Sequence, residues 1–149
     1  MDALSVNKKA GFDYELLDKI EACIILKGHE VKSAKSGGAK LSGAYVVARG
    51  RTFWLIGAHI SRLKQAGKLM SYDPERSREL LLSKKEINYL LGKGADKHLT
   101  FIPTRMYTKA GKIKLEFAVA RHKKKYEKRE QIKRRDVERQ IRGALKRHA

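Results

Sequence analysis

Residues 112–121 read KIKLEFAVAR, and their pattern is the clearest indication of secondary structure in the sequence. Every second side chain in it is apolar, at Ile113, Leu115, Phe117 and Val119. Lys114 and Glu116 stand between them, and strict alternation of this kind is typical of a β-strand with one face in the core and the other in water. Residues 99–107 form another β-prone run before it, and Lys109-Ala110-Gly111 separates the two runs. Because glycine tolerates the positive φ of a tight turn, the two runs predict a hairpin.

Two further stretches predict strands on the same grounds. Residues 44–48 and 52–56 are β-prone runs on either side of Arg49-Gly50-Arg51, and they indicate a second hairpin. Residues 22–26 are short, β-branched and closed by Gly28, which favours a buried strand.

Two helices are predicted among these strands. Residues 30–36 give one or two helical turns. A longer helix begins at Ser83, which forms a capping box with Glu86 and is followed by apolar residues on one face. Several antiparallel strands with short helices predict a mainly β domain, a small barrel or partly open sheet of the oligonucleotide-binding (OB) type.

Positive charge dominates the composition and is concentrated at the end of the chain. The 149 residues include 35 Lys and Arg against 16 Asp and Glu, a net charge of +19. Residues 121–149 contain 13 Lys or Arg and only four Asp or Glu. Like charge at this density repels itself until a polyanion neutralises it, so nucleic acid is the expected partner. Length and charge predict one RNA-binding domain over residues 1–120 and a basic tail over residues 121–149.

The tail has the pattern of a weak amphipathic helix. Its aliphatic residues at helical spacing are Val137, Ile141, Ala144 and Leu145. The apolar stripe is thin and the like charges repel, so the tail is expected to be disordered when free and to fold on contact. A role at a membrane surface is disfavoured because the tail contains neither Trp nor Phe.

The composition argues against several other classes of protein. Cys23 is the only cysteine and no charged-then-apolar leader opens the chain, so a reducing cytoplasmic setting is expected. No apolar run approaches the roughly 20 residues that cross a bilayer. The sequence contains no Gly-rich phosphate loop, dinucleotide fingerprint or zinc-ligand spacing, so neither cofactor nor metal is expected.

Four residues have chemistry that enzymes use, and each has a more common structural role. Cys23 lies in an apolar run and is interpreted as a core thiol, and His59 as a hydrogen-bonded structural histidine. Glu21 and Glu30 flank the first predicted strand, where carboxylates more often bind nearby Lys or backbone N–H groups than act as an acid–base pair. The sequence therefore predicts that the protein is not an enzyme. The alternative, a nuclease or RNA-modifying protein, requires metal-dependent cleavage that is lost in Glu21→Ala or His59→Ala.

Five blocks of the sequence occur together, in this order, in one known family. They are NKKA (residues 7–10) with Tyr14, EACIILKGHEVKSAKSGGAKL (21–41), HIS (59–61), DPERSRELLLSKKEI (73–87) and KKKYEKR (123–129). On these blocks the chain resembles the SsrA-binding proteins, also called small protein B, from about Asn7 to its end. The patterns GxEVKS and LLLxKxEI are specific to that family.

The resemblance implies an OB-type antiparallel β-barrel and a role in trans-translation. Proteins of this family bind the tRNA-like domain of transfer-messenger RNA and deliver it to the A site of ribosomes stalled on messages without a stop codon. The tail is then expected to become helical in the empty mRNA channel beside the decoding centre. The resemblance also implies a monomer when bound to RNA, with no membrane partner.

The resemblance assigns roles to individual residues. RNA binding is expected of Asn7, Lys8, Lys9, Glu21, Glu30, Lys32, Ser33, Lys35, Leu81, Lys123 and Lys124. Ribosome binding by the tail is expected of Tyr126, Glu127, Lys128, Arg129, Lys133, Arg134, Arg135, Arg139, Ala144, Leu145 and Lys146. Tyr14 and Tyr126 can also offer stacking faces to unpaired bases, or serve as packing residues.

Four residues depart from the family pattern. Phe12 stands where histidine is common, Cys23 and His122 replace glycines, and Glu79 replaces a basic residue. His122 puts in doubt the close backbone approach that the glycine allows. The alternative to a trans-translation factor is a ribosomal protein or a general RNA chaperone, which would share the domain and the tail.

Overall fold

The computed structural model describes residues 3–63 and 71–147, and for residues 125–128, 130 and 143–147 it describes the backbone alone. Within these ranges the fold is mainly antiparallel β-sheet with helices, as predicted. The strands are β1 (Ala3–Val6), β2 (Tyr14–Ile24), β3 (Ala39–Lys40), β4 (Tyr45–Arg49), β5 (Thr52–Ile56), β6 (His59–Ile60), β7 (Arg78–Leu81), β8 (Leu99–Lys109) and β9 (Lys112–His122). The helices are α1 (Ala10–Asp13), α2 (Gly28–Lys35), α3 (Lys84–Gly94) and α4 (Lys125–Arg147).

Both predicted hairpins are confirmed. β8 and β9 pair along their length, with Lys109 opposite Lys112 at the turn. Ala110 and Gly111 form that turn with φ values of 51° and 75°. Two successive residues at positive φ give a hairpin turn whose twist matches that of the flanking strands. The alternating apolar side chains of β9 are buried, and β4 and β5 form the other hairpin.

The strands of the main sheet close into a ring. Around the ring, β8 pairs with β4, β4 with β5, β5 with β7, β7 with β2, β2 with β9, and β9 with β8 again. Every one of these pairings is antiparallel. β1 adds to the outside of this ring on β8, and β3 and β6 form a separate two-stranded sheet.

Strand β7 was not predicted, and its burial explains why. Its inward positions hold Leu80 and Arg78, and Arg78 is completely buried. A charged residue at a core position hides the apolar alternation by which strands are recognised. β2 was predicted only over residues 22–26, because its first half is charged and contains a bulge between Leu16 and Lys19.

The core fills the inside of the ring. Phe101 packs edge-on against both Phe53 and Phe117, with ring centroids 5.9 and 6.2 Å apart. α3 begins with the predicted capping box, in which Ser83 and Glu86 each accept a hydrogen bond from the other's backbone N–H.

The short predicted helix is α2. It ends in a turn where a Cβ on Gly38 would lie 2.9 Å from the carbonyl oxygen of Ser33. Only glycine allows that close approach, so Gly38 fixes how the chain leaves α2. α4 follows β9 and contacts α1.

Candidate nucleic-acid interface

Basic residues from the two ends of the domain meet at one place. We call it the basic corner, and its members are Lys8, Lys9, Tyr14, Lys123 and Lys124. Lys123 joins the two segments, because its backbone N–H donates to the carbonyl oxygen of Asp13 (3.1 Å) and its Nζ to that of Gly11 (2.8 Å). An ammonium group has three donors, so Lys123 keeps donors for a phosphate oxygen. α1 is thereby held against the end of β9.

Aromatic rings line the basic corner. Tyr14 lies opposite His122 in the β2–β9 pairing, and their ring centroids are 4.3 Å apart. Beside them a concavity of about 350 Å³ is lined by Lys9 and Tyr45, among others. Exposed cations next to aromatic faces can bind phosphates and stack unpaired bases. His122 contributes a ring to this surface.

A second cluster lies on the outer side of β2, β7 and β9 and at the end of β8. We call it the Glu21 face, and its members are Glu21, Cys23, Leu81, Lys109 and Lys114. Glu21 accepts hydrogen bonds from the hydroxyl of Tyr107 and from Nζ of Lys109 (3.3 Å). The bond from Tyr107 lowers the pKa of Glu21, with the Lys109 ammonium acting in the same direction and partial burial opposing both. Glu21 is therefore an ionised acceptor held in one orientation.

Leu81 gives the Glu21 face an apolar contact point. It is 53% exposed and lies opposite Cys23 in the β2–β7 pairing. Sγ of Cys23 is 2.8 Å from Nζ of Lys114, so the thiol is on the outer surface rather than in the core as the sequence suggested. An exposed leucine on the same face as a carboxylate and a cation suits a nucleotide, which has both apolar and charged parts.

The basic corner and the Glu21 face lie near opposite ends of β2. Tyr14 starts the strand, and Glu21 stands seven residues later. A strand rises about 3.3 Å per residue, so the two sites are roughly 20 Å apart. Six of the predicted RNA-binding residues therefore divide between the two surfaces: Lys8, Lys9, Lys123 and Lys124 at the basic corner, and Glu21 and Leu81 on the Glu21 face.

Three of the predicted binding residues are buried. Asn7 is 9% exposed and its Nδ2 donates to the carbonyl oxygen of Pro103 (2.9 Å). Ser33 is 4% exposed and donates to the carbonyl oxygen of Ser61, and Glu30 is 0% exposed. Side chains enclosed in this way position the surface around them, and their role in RNA binding stays a prediction.

Glu30 is the centre of a charged network that the sequence did not reveal. Its Oε2 is 2.7 Å from Nη2 of Arg78 and 3.0 Å from the hydroxyl of Tyr72, and its Oε1 is 2.8 Å from the backbone N of Lys27. Arg76 also binds this carboxylate through its guanidinium group. Burial alone would raise the pKa of Glu30, but the hydrogen bonds from Arg76, Lys27 and Arg78 outweigh it and lower the pKa to about 2. The network fastens α2 to β7.

The other predicted residues of α2 are on its outside. Lys32 and Lys35 are exposed. Lys35 shares a concavity of about 600 Å³ with Lys109 and the β8–β9 turn. It therefore extends the Glu21 face, whereas no partner or pocket within the described residues places Lys32 in either cluster.

The predicted tail residues lie on α4. Five of them are exposed cations, namely Arg129, Lys133, Arg134, Arg135 and Arg139. The guanidinium of Arg135 is 5.2 Å from the ring centre of Phe12 on α1. The side chains of six others lie outside the described part of the chain: Tyr126, Glu127, Lys128, Ala144, Leu145 and Lys146.

Two further features were sought in the described residues: groups of metal ligands and membrane-spanning helices. Among the described side chains, no group of three His, Cys, Asp or Glu is placed to hold a metal ion. No helix within residues 3–63 and 71–147 is both long and apolar enough to cross a membrane.

Comparison with known proteins finds relatives that match almost the whole chain. The family model described as SmpB protein matches residues 4–147. The SsrA-binding protein of Sulfurihydrogenibium sp. (strain YO3AOP1) is 46% identical over 143 residues, which cover 96% of this chain and 93% of that protein. The SsrA-binding protein of Trichodesmium erythraeum (strain IMS101) is 43% identical over 145 residues, which cover 97% of this chain and 93% of that protein.

A solved structure shows the same relationship in three dimensions. A chain from the work called "tmRNA-SmpB: a journey to the center of the bacterial ribosome" matches with a TM-score of 0.67 and 37% identity, over 80% of this chain and 84% of that one. Sequence and structure therefore agree, and this chain belongs to the SmpB family of SsrA-binding proteins.

Proposed function

We propose that this protein binds the tRNA-like domain of transfer-messenger RNA and delivers it to the A site of ribosomes stalled on messages without a stop codon. Family membership supports the RNA partner. One structural observation carries the delivery role: the basic corner and the Glu21 face lie near opposite ends of β2. A protein that joins two RNA partners needs two separate binding surfaces, whereas a protein that binds one RNA needs a single surface.

The position of α4 suggests which partner each surface meets. α4 begins three residues after the end of β9, directly beside Lys123 and Lys124 of the basic corner. A tail in the mRNA channel would therefore turn the basic corner towards the ribosome. The Glu21 face would then be left for the transfer-messenger RNA.

The tail is proposed to be disordered in the free protein and helical on the ribosome. Its aliphatic residues Ile132, Val137 and Ile141 are between 47% and 54% exposed, so α4 buries little apolar surface. An exposed cation–π contact such as that of Arg135 with Phe12 contributes about 0.5–1 kcal/mol. Ordering one backbone residue costs about 1–2 kcal/mol, so this contact cannot by itself hold a helix of like charges.

The ring of strands is proposed to be an OB-type barrel. Its support is the closed cycle of six antiparallel pairings together with the helix α3 between β7 and β8. Such barrels present a strand face and adjoining loops to oligonucleotides, and the Glu21 face is a strand face of this kind. We place its action in the cytoplasm, as a non-enzymatic monomer on its RNA.

RNA recovered with the protein tests the function. The full chain, purified from cells at low salt, is expected to carry transfer-messenger RNA as its main RNA, and to lose it as salt rises because the binding is largely electrostatic. Recovery of ribosomal RNA alone, with the protein still bound to subunits in high salt, would instead identify a ribosomal protein.

A further inference from the structure

The outer face of the β4–β5 hairpin contains residues that belong to neither of the two surfaces described above. Val47 lies opposite Trp54, and Arg49 opposite Thr52. Phe53 and Leu55, on either side of Trp54, and Val46, before Val47, are buried in the core. Because side chains alternate along a strand, Trp54 and its neighbours stand on the outer side of the ring.

Trp54 has a cation on one side and a carboxylate on the other. The guanidinium carbon of Arg49 is 5.7 Å from the ring centre of Trp54. Glu79 of β7 lies directly opposite Trp54, and residues so paired have Cβ atoms about 5 Å apart. Glu79 and Trp54 are both partly exposed.

This group is continuous with the Glu21 face. Leu81 stands two residues after Glu79 on the same strand, so both side chains are on the outer side. Arg51, at the hairpin turn, adds a second guanidinium, which donates to Oδ1 of Asn88 (2.8 Å). An RNA bound at Leu81 would therefore meet Trp54 without leaving the surface.

We propose that Trp54, Arg49 and Glu79 form a site for one unpaired guanine base of the bound RNA; the proposal rests on the RNA-binding function above. The indole face stacks the base. Glu79 accepts hydrogen bonds from its edge. Arg49 and Arg51 meet the adjoining phosphates. The net charge of +19 favours a polyanion over a protein as the occupant.

The chemistry of the carboxylate selects guanine. An ionised carboxylate is an acceptor with two oxygens. Guanine presents two neighbouring donors, N1–H and N2–H, which match those oxygens in a bidentate pair. Adenine, cytosine and uracil each present a lone donor group beside at least one acceptor atom, and that acceptor would face the carboxylate and be repelled.

Arg49 is also placed to exchange with the base. In the free protein its guanidinium covers the indole at 5.7 Å. A base stacked on an aromatic side chain contributes more than an exposed cation–π contact, so the base displaces the guanidinium. The displaced group then lies beside the nucleotide, where it can pair with a phosphate oxygen.

The single tryptophan of the sequence supplies the measurement. Fluorescence of Trp54 in the full-length protein is followed while the hexanucleotides UUUGUU, UUUAUU or UUUUUU are added at low salt. We expect quenching by all three, with UUUGUU binding about tenfold more tightly than the others. Binding of the tRNA-like domain of transfer-messenger RNA is measured on the same preparation by filter retention.

Single substitutions test the roles of Glu79 and Trp54 separately. Glu79→Gln should abolish the preference for guanine while quenching persists, because an amide cannot accept two hydrogen bonds in parallel. Glu75→Gln is the matched control, since it removes the same charge from an exposed carboxylate that lies 3.8 Å from His59; it should keep the preference. Trp54→Leu, followed with labelled UUUGUU, should bind at least tenfold more weakly.

The outcomes distinguish this inference from the function beneath it. If the tRNA-like domain binds but the hexanucleotides neither quench Trp54 nor differ in affinity, the guanine site is wrong and the proposed function stands. A preference for guanine that survives Glu79→Gln would also overturn the site. If the tRNA-like domain itself does not bind, the proposed function is wrong, and the guanine site that rests on it is wrong as well.

Discussion

Glu30 and Arg78 face each other inside the protein, with Oε2 of the glutamate 2.7 Å from Nη2 of the arginine and neither side chain exposed to solvent. They are 48 residues apart in the chain and belong to α2 and β7. A buried charge is tolerated only when it is paired, so each residue depends on the other. This pair holds α2 in place beside the Glu21 face, which Lys35 extends.

Replacing Glu30 should destabilise the fold strongly. In Glu30→Ala the guanidinium of Arg78 remains buried without its counter-charge, and the free energy of unfolding should fall by about 3–5 kcal/mol. Urea denaturation followed by circular dichroism measures it. Glu75→Ala, which removes an exposed carboxylate 3.8 Å from His59, should change it by less than about 1 kcal/mol. Equal losses in the two variants would contradict the structural role of the pair.

Stability should depend on Glu30 at acid pH. The pKa of Glu30 is lowered from 4.5 to about 2 in the folded protein. A carboxyl whose folded pKa is depressed contributes stability above its unfolded pKa, and this contribution is lost as pH falls towards the folded pKa. The free energy of unfolding should therefore drop between about pH 4.5 and pH 2. Glu30→Gln should flatten that part of the profile, and an unchanged slope would show that other carboxyls cause it.

Glu21 should contribute to RNA binding without supporting the fold. Glu21→Ala is expected to weaken binding of transfer-messenger RNA by about tenfold, the size expected for a hydrogen bond to a charged group, with an unchanged circular dichroism spectrum. Tyr107→Phe removes only the hydroxyl that orients Glu21 and should cause a smaller loss. Gel-shift titration measures both. Wild-type affinity in Glu21→Ala would exclude Glu21 as a contact.

The basic corner should bind phosphates. Lys8→Ala combined with Lys9→Ala should weaken binding to the ribosome, the partner proposed for this surface, and reduce the dependence of log K on log salt by about 1 for each phosphate that the variant no longer binds. The measurement is a series of filter-binding titrations from low to moderate salt. Lys84→Ala with Lys85→Ala, at the start of α3, removes the same charge and should leave the slope nearly unchanged. A parallel change in both double variants would mean that only net charge matters.

The apolar stripe of the tail should serve the ribosome rather than the RNA. Leu145→Asp is expected to reduce tagging at stalled ribosomes in a reconstituted system by about tenfold or more, because a carboxylate cannot make the apolar contact with the ribosome that is proposed for Leu145. Affinity for transfer-messenger RNA should stay within about twofold. Arg142→Ala, a single charge change on α4, should be tolerated in both assays. Equal losses of tagging and of RNA binding in Leu145→Asp would contradict the proposal that the domain binds the RNA and the tail binds the ribosome.

The family motifs gave the candidate site residues but not which of them the fold leaves exposed, and particular residues show why. Lys9, Glu21, Leu81 and Lys123 were identified through the family resemblance, and they lie on exposed surfaces or line them. Asn7, Glu30 and Ser33 belong to the same motifs but are enclosed. A motif records which residues occur together, and it does not distinguish a residue that touches the ligand from one that supports its neighbour.

The elements whose cause is local could be predicted from the sequence alone. Alternation along residues 112–121 predicted β9, and the capping residues Ser83 and Glu86 predicted α3. The charge of residues 121–149 likewise predicts a tail that binds a polyanion, and that stays a prediction. The closure of the ring, the meeting of Glu30 with Arg78 and the separation of the basic corner from the Glu21 face were decided only by the tertiary structure. The reason is physical: periodicity reports which side of a segment avoids water, whereas strand partners and buried charge pairs depend on contacts between residues distant in the chain.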